Sequence, residues 1–335
     1  MVICWAWGVV WCVLCLLAIG PSAAMNVTVV PTRLRQRVTY SFHEAADPVS
    51  DQVVALHHGI CHTRDQFLPL IARLNSLGLH ALMIDQQSEN AGFFRNALGM
   101  QHYREGMAAA LRKFAEDHPR LPVGSYALHS LGALIGQEMQ QRYPQWRRPT
   151  VLMAPIPIHG ALPISLRILR RHPLRYLKAV LTLNIHSLMR TPEMVRELFF
   201  DDLTPAPIVE RTTEQLKHAP FWLYCQLVLR PLLRPRIRDD GLPKRLLFSE
   251  TDEIFHPSEY RTTREQFPRL EEHHIRGGHD FFIEYAGEAA QQIAEFHQHY
   301  AVPTHAAIPA LAPPHFLHRP AEAQPAPAER PTEDE

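Results

Sequence analysis

The sequence predicts an α/β architecture: a mostly parallel central sheet with helices on both faces and a helical cap inserted after the sixth strand. Three observations carry this expectation. Short apolar runs of strand length alternate with amphipathic segments of helix length, as expected for strands buried on both faces and joined by helical crossovers. One of these runs stops abruptly at Ser130, and a helical pattern starts directly after it. Roughly 90 residues then separate Ala154 from Leu246, far more than a crossover requires.

The elements follow in order. Residues 37–42 alternate polar and apolar side chains and read as an edge strand. Residues 51–57 are a buried strand running into His57-His58-Gly59-Ile60-Cys61. Residues 67–78 form a helix, with Gly78 as its C-cap. Residues 79–85 are the next buried strand, 86–99 a polar loop and 102–117 an amphipathic helix. Residues 122–128 form the strand that leads to Ser130. Further strands fall at 149–155, 245–249 and 270–275, and residues 287–300 close the fold as a helix. In such sheets the chemistry gathers at the carboxyl ends of the strands. His58, Ser130, Asp252 and His279 all follow strand ends, which places them along one edge.

The long insertion, about residues 157–242, is helical in pattern at 165–171, 174–183, 192–200 and 212–233. It reads as a cap over that edge, its leucines and phenylalanines lining a substrate pocket. Arg167, Arg170, Arg171, Arg175 and Lys178 cluster in it and read as a solvated helix face rather than an anion site.

The two ends differ from the body, which spans residues 25–301. Residues 1–24 are apolar and uncharged, with Ser22-Ala23-Ala24 suited to signal cleavage, yet no basic residue precedes the apolar run. They read as a signal or anchor segment, giving an exported or membrane-associated protein, or as a miscalled start with Met25 the true one, giving a cytoplasmic protein. Residues 302–335 are rich in Pro, Ala and Glu and read as a disordered tail. Lys plus Arg and Asp plus Glu both number 34, so no nucleic-acid partner is expected. Outside residues 1–24 only Cys61 and Cys225 remain, which fit neither a disulfide framework nor a metal site. No cofactor is expected.

The chemistry is read from four strand ends. A serine on a sharp strand-to-helix turn exposes its oxygen and leaves the next backbone N–H free, although a serine there can equally be a plain helix cap. Ser130 is the candidate nucleophile. It needs a base, and His279 in Arg276-Gly277-Gly278-His279-Asp280 is the best placed. The base needs an orienting acid. Asp252 is preferred, with Glu250 and Glu253 as rivals in the same loop. Two N–H donors should stabilise an oxyanion: Leu131, directly after the serine, and Ile60, in a loop supported by His58 and Gly59.

Leu56-His57-His58-Gly59, Leu128-His129-Ser130-Leu131-Gly132, Thr251-Asp252 and Gly277-Gly278-His279-Asp280 together resemble the α/β-hydrolase superfamily. More narrowly, residues 37–300 resemble bacterial hydrolases of the monoacylglycerol lipase and lysophospholipase-like group. Residues 153–160, 190–200 and 278–282 carry that narrower likeness. The resemblance implies the α/β-hydrolase fold and a Ser130, Asp252, His279 triad in that chain order. Two positions depart from the pattern. Leu128 stands two residues before the nucleophile, where relatives carry Gly or another small residue, and it should crowd the turn. Gln86-Gln87-Ser88 replaces the Arg-Gly of relatives in a loop that shapes specificity.

The expected function is hydrolysis of a carboxylic ester of a lipid or other apolar acyl substrate, with no metal. The alternatives are a catalytically silent hydrolase fold serving as a binding or scaffold module, and an amide or thioester hydrolase. The expected partner is a small-molecule ester or lipid, with membrane association through residues 1–24; the oligomeric state is open.

Overall fold

The computed structural model describes residues 27–30, 32, 36–233 and 237–301. The readings of residues 1–24 and 302–335 lie outside these. Eight strands form one sheet: β1 (Val27–Val30), β2 (Arg37–His43), β3 (Val53–His57), β4 (His80–Gln87), β5 (Val123–His129), β6 (Thr150–Met153), β7 (Lys244–Phe248) and β8 (Leu270–His274). Their spatial order is β1-β2-β4-β3-β5-β6-β7-β8. β2 runs antiparallel to both its neighbours, and every other pairing is parallel. β5 therefore lies near the centre, held by β3 and β6.

The strand period of two sorts the side chains into two cores. Ala55, Ile84, Tyr126, Leu128 and Leu152 face one layer, formed by α2 (Met100–Asp117) and α3 (Leu131–Arg142). Val54, Met83, Ala127 and Val151 face the other, formed by α1 (Leu68–Ser76) and α12 (Ala286–Tyr300). Both faces are covered over the sheet centre, which is why β3 and β6 read as apolar runs, whereas β8, at the end of the sheet, is partly exposed and reads Leu-Glu-Glu-His-His.

Between β6 and β7 come α4 (Leu162–Arg171), α5 (Pro173–Leu181), α6 (Pro192–Phe199), α7 (Ala206–Gln215), α8 (Phe221–Val228) and α9 (Arg230–Leu233). They enclose a third core around Leu188, Val195, Leu198 and Phe199. α10 (Arg261–Gln266) and α11 (Phe281–Glu284) complete the chain.

Three expectations need correction. Residues 37–42 are not an edge strand, because β1 pairs along β2 and takes the outer position. β4 continues through Gln87, since β2 supplies a partner for it (Arg37 opposite Gln87), and a 3₁₀ segment at Glu89–Ala97 follows in place of a plain polar loop. Residues 212–233 are not one helix. Leu216 is extended (ψ 139°) and ends α7 at Gln215, and α8 starts directly after Pro220, whose missing N–H bars a continuous helix through that point.

Candidate active site

Ser130 occupies the sharp turn between β5 and α3, at φ 50° and ψ −115°. A non-glycine residue at positive φ costs about 1–3 kcal/mol and persists only where its surroundings hold it. Here they do. The Ser130 N–H donates to Met153 O (2.9 Å), while its carbonyl accepts from Ile156 and Ala133, each at 3.2 Å.

Leu128 does not crowd the turn. Its side chain points to the α2–α3 layer and lies over Gly136, where an added Cβ would fall 2.3 Å from Leu128 Cδ1. The small residue that the turn needs is supplied from the helix, two turns on. Two further glycines let the neighbouring segments close on the serine. A Cβ on Gly59 would sit 3.0 Å from Ser130 Cβ, and one on Gly132 would sit 2.7 Å from the carbonyls of His57 and His58.

Asp252 and His279 follow β7 and β8. Asp252 is fully buried and accepts from three donors: Ile254 N–H (2.8 Å), Phe255 N–H (2.9 Å) and His279 Nδ1 (2.9 Å). This leaves His279 Nε2 as the ring nitrogen open to a reacting group. Thr251 Oγ1 donates to Gly277 O at 2.7 Å, and Ser249 Oγ donates to the same carbonyl, so the acid loop and the histidine loop are tied together. Gly278 lies under the end of α6, where a Cβ would meet Phe199 O at 2.5 Å. Of the rival acids, Glu250 is exposed and Glu253 pairs with Arg171 at 2.8 Å. Burial alone depresses the pKa of His279, but the Asp252 charge and hydrogen bond, with the Asp280 charge, outweigh it and hold the imidazole above its usual value.

Neither the Leu131 nor the Ile60 N–H donates to a backbone carbonyl among the described residues. Both line a cavity of about 10 Å³, the space of about one water, together with His58 and Gly59. His58 Nε2 accepts from Gln86 N–H (2.9 Å), which puts its proton on Nδ1, donated to Gly59 O at 2.7 Å. His58 thus braces the loop against β4. Cap residues close the far wall, with Lys217 N–H donating to Cys61 O at 2.7 Å.

The sequence reading missed a buried second tier of His62, His129 and Asp280. His62 spans from Ile60 O (2.8 Å) to Asp280 Oδ2 (2.7 Å). His129 Nε2 donates to His279 O at 3.3 Å and lies 3.6 Å from Asp280 Oδ1. Burial, with the neighbouring histidines, keeps the pKa of His129 well below its usual value. The signal was adjacency: His129 precedes Ser130 and Asp280 follows His279. The three ligand atoms lie within 4.8 Å of one another. The 2.7 Å contact is a hydrogen bond, too close for two donors sharing an ion at the usual distance of about 2.0–2.2 Å.

No curated protein matches the chain. Solved structures with the same fold include an α/β-hydrolase fold protein from Chitinophaga pinensis (15% identity, TM-score 0.57, covering 83% of this chain and 98% of that one). A carboxylesterase from Bacillus subtilis (15%, 0.54, 82% and 92%) and a bacterial membrane phospholipase A (17%, 0.56, 82% and 86%) share it as well. The family described as serine aminopeptidase, S33, matches residues 48–276, which take in β3 to β8 and the loops of Ile60, Ser130 and Asp252, but not residues 277–280, which hold His279 and Asp280. With its mostly parallel eight-stranded sheet, the chain belongs to this family of α/β-hydrolases.

Proposed function

We propose that the chain is a serine hydrolase cleaving a carboxylic ester, its acyl part apolar, through an acyl-enzyme on Ser130. The observation that carries this reading is the buried Asp252–His279 hydrogen bond at 2.9 Å, at the same carboxyl edge of the sheet on which Ser130 is held at positive φ. Ser130 Oγ attacks the acyl carbon while His279 Nε2 takes its proton, and Asp252 stabilises the imidazolium. The oxyanion forms against the Leu131 and Ile60 N–H groups. His279 returns the proton to the leaving alkoxide, and water, deprotonated by the same nitrogen, releases the acid. Leu128, seated over Gly136 and clear of the turn, gives the alternative of a catalytically silent fold no support. The fold shared with a carboxylesterase and a phospholipase A agrees with an ester substrate.

The test is Ser130→Ala in the purified protein. Turnover of p-nitrophenyl esters should fall on the order of 10⁵–10⁶-fold, and labelling by a fluorophosphonate should vanish. Turnover equal to wild type would overturn the assignment.

A further inference from the structure

The hairpin of α4 and α5 has two apolar faces, and the protein covers only one. Inward, Ile164 and Ala179 are buried, Ile168 packs on the core, and Tyr176 Oη meets Tyr224 Oη at 2.8 Å. Outward, Leu162, Leu166 and Leu169 on α4, with Leu174, Leu177 and Leu181 on α5, recur at helical spacing and are exposed. Leu174 is 82% exposed and Leu181 73%. Exposed apolar side chains also occur elsewhere, Leu203 and Phe94 among them, but six leucines gathered on one helical hairpin form the kind of apolar patch that marks an interaction site.

Its charge selects the partner. No Asp or Glu occurs between Glu138 and Glu193, whereas Arg167, Arg170, Arg171, Arg175, Lys178 and Arg190 all fall in that span. Arg167 and Arg171 are engaged internally, with Glu259 and Glu253. Arg170, Arg175 and Lys178 are exposed beside the leucines, outside the ion pairs of the described residues. Leucines flanked by cations match an anionic bilayer, whose interface takes the apolar side chains while its headgroups meet the charges. A second copy would oppose cation to cation. We infer that the α4–α5 hairpin docks this protein on anionic lipid surfaces. Arg167 also donates to the Ile254 carbonyl, two residues past Asp252, so docking would set the bilayer beside the candidate site.

The experiment is co-sedimentation of the full chain with phosphatidylcholine vesicles, with and without about 30% phosphatidylglycerol. Binding is expected to the anionic vesicles and to weaken at about 0.5 M salt. Leu174→Glu, Leu177→Glu and Leu181→Glu combined should weaken it by at least about tenfold with an unchanged thermal melt. Arg170→Glu, Arg175→Glu and Lys178→Glu combined should abolish the anionic preference. Ser130→Ala should bind as wild type, which separates this inference from the catalytic one. Undiminished binding by the leucine variant would overturn the inference, as would equal binding to neutral vesicles. So would a dimer in light scattering that the leucine variant splits without any loss of vesicle binding.

Discussion

The seat of Leu128 over Gly136 yields a quantitative prediction. Gly136→Ala places a methyl group 2.3 Å from Leu128 Cδ1, in a layer where Leu128 is fully buried. Overpacking of this kind costs about 1–3 kcal/mol, against a helix-propensity gain of about 1 kcal/mol for Ala over Gly. The net loss is about 1 kcal/mol. Leu128→Ala empties the same space and costs about 3 kcal/mol. In the double variant the clash is gone, the new methyl group refills part of the cavity and the helix gain remains. Its loss should be about 2 kcal/mol rather than the additive 4, a coupling of about 2 kcal/mol. Urea unfolding of the four proteins measures it. Additivity to within about 0.5 kcal/mol would refute the interlock and restore Leu128 as a defect of the turn.

The remaining predictions concern the site. In the proposed mechanism His279 must be neutral to accept the serine proton, so kcat/KM should rise with pH through a midpoint above the ordinary 6.5. Asp252→Asn should move that limb to lower pH and reduce kcat on the order of 10³–10⁴-fold. The raised pKa also stabilises the fold, fully below pH 6.5 and with loss as pH climbs through the folded value, which urea midpoints across that window would register. Gly59→Ala, whose methyl would meet His129 Nδ1 at 2.9 Å and Ser130 Cβ at 3.0 Å, should lower kcat more than it raises KM in steady-state assays. His62→Ala strips the buried Asp280 Oδ2 of its donor, and calorimetry should show a loss of about 3–5 kcal/mol.

Much of the candidate site was legible because each of its residues is announced locally. His58, Ser130 and Asp252 follow apolar runs and His279 follows the polar strand β8, and parallel strands bring such endings to one edge. His62 and Asp280 were not legible as partners. They stand 218 positions apart, and no local period links a loop after β3 to a loop after β8. The bar to one helix over residues 212–233 stands in the sequence itself, at Pro220, because a helix interior has no place for a residue without an N–H.

By itself, the chain determined the alternation of strand and helix, the two-sided burial of the central strands and the strand ends after which Ser130, Asp252 and His279 fall. These follow from periodicity and from residues adjacent to one another. The tertiary structure alone decided which acid meets His279, since Glu250, Asp252 and Glu253 share one loop and only the fold of β7 against β8 selects among them. It also decided that Leu128 fits, because the space it needs is a missing side chain on a facing helix. Which leucines of the cap stay uncovered was settled there too, since an amphipathic pattern with two apolar faces does not say which one the protein will bury.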